Sequence, residues 1–274
     1  MRGEQSPLFF FPPRNRQSLR HEKGPQNLRV KRVGLARALS KLGYCSRSLA
    51  AELIRAGRVR LNGAMRRDPE TPVRMAQDRI EVDAKPIAGE KKIYLMLNKP
   101  RGLVTTASDE QDRDTIYSCL GDELPWLAPV GRLDKASEGL LLLTNDSEWA
   151  ARIADPESHV PKTYHVQISA LADSTLTEKL MTGVQVDGIG RMRAKGATIL
   201  RQGERNSWLV IVLDEGKTRQ IRRMLEALGI EVLRLIRIAI GPIELGELPK
   251  GAYRSLTQAE IAALHVGRKM PLHS

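Results

Sequence analysis

Cysteine is almost missing from this chain: Cys45 and Cys119 are the only two in 274 residues. They lie far apart and outside any Cys-x-x-Cys spacing, which argues against a disulfide framework and against structural zinc, and points to a reducing, cytoplasmic setting. No apolar run approaches the roughly 20 residues that a bilayer-spanning helix needs, so a soluble chain with no membrane partner is expected. The histidines, His21, His159, His165, His265 and His273, are scattered without His-Glu-x-x-His spacing. Metal-assisted hydrolysis therefore has no support, and no metal or other cofactor is expected. Acidic residues are also short, 32 against 44 Lys and Arg, for a net charge of +12 and a pI near 9.9. Such an excess suits a polyanion, with nucleic acid ahead of an anionic membrane surface. Aromatics make up only 4% of the chain, so one placed among basic residues stands out.

The length suits a main domain with a small module attached. Residues 1–32 are rich in Arg and Lys and broken by Pro7, Pro12, Pro13 and Pro25, and read as a disordered basic arm; an organelle presequence or a later true start are the alternatives. From Val33 the pattern changes. Leu35, Ala38, Leu39 and Leu42 recur at helical spacing up to Gly43, Ser46 is placed to cap a second helix ending near Gly57, and 59–61 alternates like a strand before the Asn62-Gly63 turn. Two short helices and a small sheet over 33–82 follow. Arg37, Lys41, Arg47, Arg55 and Arg58 decorate this unit and are expected to track a phosphate backbone rather than form only a solvated face. Residues 83–91, with Pro86 and Gly89, read as a linker.

Beyond it, 92–265 reads as a second domain, with 266–274 as a tail. Segments 93–97, 128–133, 140–144, 163–169, 184–187, 194–200 and 208–213 have strand character, and 148–153, 174–181, 218–228 and 258–264 have helical spacing. Strands grouped with few intervening helices predict an α+β fold with a largely antiparallel, mixed sheet.

The sharpest feature is 131–139, Gly-Arg-Leu-Asp-Lys-Ala-Ser-Glu-Gly, which sets Asp134 in a glycine-bounded turn between two apolar runs. An ionised Asp is acceptor-only and available as a nucleophile or base; an ordinary turn cap is the bland alternative. Glu138 and Asp146 remain open as the reacting acid. A basic partner is expected from 214–224, where a helix puts Arg219 and Arg222 on one face with Ile221, Met224, Leu225 and Leu228 on the other, and Arg223 near phosphate. Gly216-Lys217-Thr218 looks like the end of a phosphate-binding loop, but Ile211 occupies the position of its first glycine, which discards a nucleotide triphosphatase. Tyr164, in Pro161-Lys162-Thr163-Tyr164, is placed for a flipped base to stack on.

The module resembles the small RNA-binding unit shared with a ribosomal small-subunit protein, through Ala36-Arg37-Ala38-Leu39-Ser40-Lys41-Leu42-Gly43, Ser46-Arg47, 53–59 and Leu61-Asn62-Gly63. The larger domain resembles the pseudouridine synthases of the RsuA and RluB type. Asn98-Lys99-Pro100, 131–146, Lys162-Thr163-Tyr164, Arg219-Gln220-Ile221-Arg222-Arg223-Met224, Leu235-Ile236-Arg237, Ile240-Gly241-Pro242 and Gly251 carry that likeness. Ser147, where the family often has glycine, departs from it. The resemblance implies isomerisation of a uridine in ribosomal RNA without a cofactor, with the large-subunit RNA favoured over the small. It implies Asp134 as the catalytic carboxylate, Tyr164 packing on the uracil, Arg222 pairing with the aspartate and Leu235 lining the pocket. Lys99, Arg132, Arg219 and Arg223 are expected to face RNA, and the substrate to be free ribosomal RNA or an assembly intermediate bound by a monomer. A non-catalytic ribosome-assembly protein and a two-carboxylate glycosidase are the competing classes.

Overall fold

A computed structural model describes residues 32–89, 91–106, 113–121 and 123–264. Most of the arm, all but Arg32, and the tail expected at the two ends lie outside the described residues. The first unit contains β1 (Val33–Gly34), α1 (Leu35–Lys41), α2 (Arg47–Arg55), β2 (Val59–Leu61), β3 (Ala64–Arg66), β4 (Pro72–Val73), β5 (Ile80–Val82) and β6 (Lys85–Pro86). Its helices form where the spacing predicts. Ser46 caps α2 by accepting from the Leu49 amide at 3.1 Å, while Leu35, Leu39, Leu53 and Ile54 from the two helices meet Val59, Leu61, Ile80 and Val82 from the sheet. Asn62 and Gly63 both take positive φ, as a two-residue hairpin between β2 and β3 requires. Part of the segment read as linker is instead structured: Asp83 and Ala84 turn with φ of 49° and 62°, returning the chain as β6 against β5.

The second unit runs β7 (Tyr94–Lys99), β8 (Ala128–Pro129), β9 (Glu138–Thr144), α3 (Ser147–Ala154), β10 (Lys162–Ile168), α4 (Ser174–Thr182), β11 (Val184–Val186), β12 (Gly190–Met192), β13 (Gly196–Gln202), β14 (Ser207–Leu213), α5 (Gln220–Ala227), β15 (Val232–Ile240), β16 (Ile243–Glu244), β17 (Tyr253–Ser255) and α6 (Gln258–Ala263). Its main sheet has the order β13-β14-β10-β15-β9-β7-β17, with β16 added to β15 and β8 to β9. The pairing is antiparallel except between β15 and β9, where Ile236 and Arg237 lie parallel to Glu138 and Gly139. The α+β class with a largely antiparallel mixed sheet is what the structure has.

β9 is buried along its whole length because both faces are covered. Leu140 and Leu142 pack with Trp149, Ile153 and Ile261 from α3 and α6, while Leu141 and Leu143 pack on Ile116, Leu127 and Leu133. This explains an unbroken leucine run where alternation would mark a half-exposed strand. The other half of the sheet buries Val166, Ile168, Leu209 and Ile211 beneath Leu180 of α4 and Ile221, Met224 and Leu225 of α5.

Two expectations are corrected and one strand is added. The strand at 128–133 stops at Pro129, because Gly131 takes φ of +72° and the chain leaves the sheet. Helix α5 begins at Gln220, so Arg219, its left-handed N-cap, does not share a helical face with Arg222. The long central β15 was not among the predicted strands, since Arg234 and Arg237 interrupt its apolar pattern; Arg237 is nevertheless buried.

Candidate active site

The parallel seam creates the site. Residues 130–137 connect the antiparallel neighbours β8 and β9, and at the seam Gly139 has φ of +104°, where an added Cβ would collide with the Arg237 backbone. Only glycine lets β9 and β15 approach this closely, and that closeness brings the turn carrying Asp134 to the residues of β10 and β15.

The backbone of that turn is held at every carbonyl from 132 to 137. Arg132 O faces Arg237 Nη1 at 3.5 Å, and Leu133 O accepts from Thr105 Oγ1 at 2.7 Å. Asp134 O accepts from the Ser137 amide at 2.9 Å and Lys99 Nζ at 3.3 Å, and Lys135 O from the Gly102 amide at 2.8 Å. Ala136 O accepts from Arg222 Nη2 at 3.1 Å, and Ser137 O from Lys99 Nζ at 2.8 Å. With its backbone so constrained, the turn presents the half-buried Asp134 side chain as a fixed group.

A cleft of about 280 Å³ lies against it, lined by Asp134, Tyr164, Leu235, Ile221, Lys162 and Arg237 among others. That volume sits near the small end of ligand sites, about 300 Å³, and suits one base rather than a large cofactor. Tyr164 and Arg237 are directly paired across β10 and β15, and the half-buried tyrosine ring touches the apolar clusters on both sides of the site. Of the charged residues lining the cleft, Arg132, Lys162, Lys217, Arg219 and Arg237 face two carboxylates, Asp134 and Glu215. Glu215 is already engaged by Lys217 at 3.0 Å.

The structure separates the three candidate acids. Asp146 caps α3 through the Glu148 and Trp149 amides and accepts from the Tyr94 hydroxyl at 2.9 Å. Glu138 is 3% exposed, outside the cleft, and ion-paired to Arg234 at 2.5 Å and Lys250 at 2.7 Å. Burial works to raise its carboxyl, but those two cations outweigh it and hold it below the ordinary value. Asp134 is the one that faces the cleft.

Two expected roles change. Lys99 does not face RNA: it is fully buried, donating to Pro100 O at 3.0 Å besides the two carbonyls of the turn, and burial pushes its ammonium down to about 8. Arg222 does not clasp the Asp134 carboxylate; it holds Ala136 O and, at 3.2 Å, Val232 O. Burial lowers the Arg222 value, Arg219 adds to that, and Asp134 opposes it, so the two charges feel each other without an ion pair. Arg237 carried no role of its own in the sequence reading. It is 5% exposed and lines the cleft, with Nε on Leu140 O at 2.7 Å and Nη2 buried without a partner among the described residues. An unpartnered guanidinium nitrogen in a cleft wall is costly unless a bound group satisfies it. Its signal was the Leu-Ile-Arg motif together with a charge inside a strand pattern.

In the module, Arg37, Arg47 and Arg55 are exposed, whereas Lys41 pairs with Glu148 of α3 at 2.6 Å and Arg58 with Asp83 through two contacts. Among the described residues no three His, Cys, Asp or Glu side chains gather as a metal site would need, and no helix is long and apolar enough to cross a membrane.

The family profile described as RNA pseudouridylate synthase matches residues 93–227, and the S4 domain profile matches 33–80. A protein of Aquifex aeolicus named as an uncharacterized RNA pseudouridine synthase is 39% identical over 85% of this chain and 93% of its own length. The chain belongs to the RNA pseudouridine synthases. This synthase is thus an isomerase acting on RNA, with an S4 RNA-binding module ahead of its catalytic domain. It is also similar to the ribosomal large subunit pseudouridine synthase B of Bacillus subtilis, 33% identical over 84% of this chain and 94% of that one. A crystal structure of a pseudouridylate synthase matches with a TM-score of 0.59 at 33% identity, covering 85% of this chain and 99% of that chain.

Proposed function

We propose that this synthase isomerises one uridine of large-subunit ribosomal RNA, acting as a monomer on free or partly assembled RNA in the cytoplasm, with Asp134 as the reacting carboxylate. The observation that carries the reading is that Asp134, Tyr164 and Leu235 line one base-sized cleft walled by cations. The large-subunit target rests on the similarity to the Bacillus subtilis enzyme.

The reaction breaks the N1–C1′ bond of uridine, turns the detached uracil and joins C5 to C1′; the C5 proton is lost and N1 gains one, so no oxidant or reductant is needed. Everting the nucleotide costs a few kcal/mol, which stacking on Tyr164 and phosphate contacts offset. Asp134 then either attacks C1′ or removes the 2′ proton to release the base. Both routes use the same carboxylate, carried by a turn whose backbone carbonyls are held from 132 to 137. Leu235, Ile221 and Leu213 wall the detached uracil against water. Arg237 Nη2 is offered to a uracil carbonyl or phosphate, while Arg222 and Lys99 hold the backbone carbonyls of the turn that carries Asp134.

The test is Asp134→Asn, supplied to a strain lacking the gene, with carbodiimide–primer extension across the large-subunit RNA. One uridine modified by wild type should stay unmodified, while RNA affinity stays within a few fold. Full modification by the variant would remove Asp134 from the chemistry, and a deletion strain with no missing pseudouridine would favour a binding-only protein.

A further inference from the structure

A second hollow, of about 310 Å³, adjoins the first. Val130, Gly131 and Ala154 belong to the walls of both, so a strand entering one reaches the other without leaving the surface. Its far side is built by the S4 module, through Ser40 of α1 and the exposed Arg47 at the start of α2, and its near side includes the half-buried Trp126. The two domains are tied together beside it by the Lys41–Glu148 ion pair and by Lys92 Nζ on Lys41 O at 3.4 Å, which keeps the two walls facing each other.

The chemistry of this hollow is that of a nucleotide site. Among the described residues no carboxylate lines it, and the one cation that does, Arg47, has no ion pair. Asn145, which also lines it, is spent on the Ile93 amide and Lys91 O. Besides the hydroxyls of Ser40 and Ser147, the hollow has the Trp126 indole and a guanidinium to offer a ligand, the pair that single-stranded RNA uses for a base and a phosphate.

We propose that this hollow receives a nucleotide flanking the everted uridine in the same RNA strand, with its base stacked on Trp126 and its phosphate on Arg47. The S4 module then closes a substrate subsite that the catalytic domain cannot complete alone. This rests on the synthase reading, and the test separates the two.

Steady-state isomerisation of the large-subunit RNA by the full chain is compared for wild type, Trp126→Ala, Trp126→Phe, Arg47→Ala and Asp134→Asn, with melting temperatures for each. Trp126→Ala should raise KM about tenfold with kcat within about twofold, and Trp126→Phe should restore most of it, since any aromatic face can stack. Arg47→Ala should lower the salt slope of binding by about one. A folded Trp126→Ala variant with unchanged KM, or a loss in kcat that phenylalanine does not rescue, overturns the subsite. Should Trp126→Ala not fold, an unchanged salt slope for Arg47→Ala overturns it instead. Activity retained by Asp134→Asn removes Asp134 from the chemistry, and an absence of isomerisation by wild type strikes the synthase reading, whatever the tryptophan does.

Discussion

Replacing Lys99 by methionine removes the ammonium beneath the catalytic turn while nearly conserving its volume. Three hydrogen bonds disappear, to Pro100 O, Asp134 O and Ser137 O. At about 1 kcal/mol net each they contribute roughly 3 kcal/mol. Against this, burial moves the lysine from 10.5 to about 8, which corresponds to roughly 3 kcal/mol acting against the charged form. The two effects nearly cancel, so Lys99→Met should lower stability by no more than about 2 kcal/mol. Activity should suffer far more: a turn released by even 1 Å misaims the carboxylate, an error worth about 100-fold in rate.

The pH dependence carries its own sign. The folded-state value lies below the unfolded one, so between pH 8 and 10.5 the unfolded chain keeps a proton that the folded chain has released. Wild type should therefore gain stability over the variant as pH rises through that window, by up to about 3 kcal/mol. Denaturant unfolding from pH 7 to 10.5 and kcat on the large-subunit RNA are the measurements. A kcat within fivefold of wild type, or a stability gap that is flat from pH 8 to 10.5, would refute the role given to Lys99.

At the seam, Gly139→Ala drives a Cβ into the Arg237 backbone at a φ that L residues avoid, so it should cost at least about 3 kcal/mol by chemical denaturation; a loss under 1 kcal/mol would mean the strands can part there. In the module, Arg37→Ala and Arg55→Ala should each reduce the salt slope of RNA binding by about one while leaving kcat unchanged. Unaltered slopes would take those two side chains off the phosphate backbone.

Local signals were enough for much of the fold. The Ser46 cap, the Asn62-Gly63 turn and the apolar stripe of α5 act within a few residues, and the structure has each of them. They failed where long-range packing overrode them. Strand β15 carries Arg234 and Arg237 because Glu138 and the carbonyls of 132 and 140 wait for those cations from about a hundred residues away. Lys99 looked like a surface cation for the same reason, since its carbonyl partners belong to a turn 35 and 38 residues distant.

The site divides in the same way. That Asp134 sits in a glycine-flanked turn, that Tyr164 starts a strand and that the chain is basic are properties of the order of residues. Which acid would face a cleft was only partly legible: Asp146 caps α3 through amides two and three residues along, a local role, whereas Glu138 is taken out of contention by Arg234 and Lys250, about a hundred residues away. Sequence alone determined the chemistry on offer and the turns that present it. Tertiary structure decided which groups are consumed in holding the fold and which are left for the substrate, because buried charges and backbone carbonyls must find partners, and those partners lie far away along the chain.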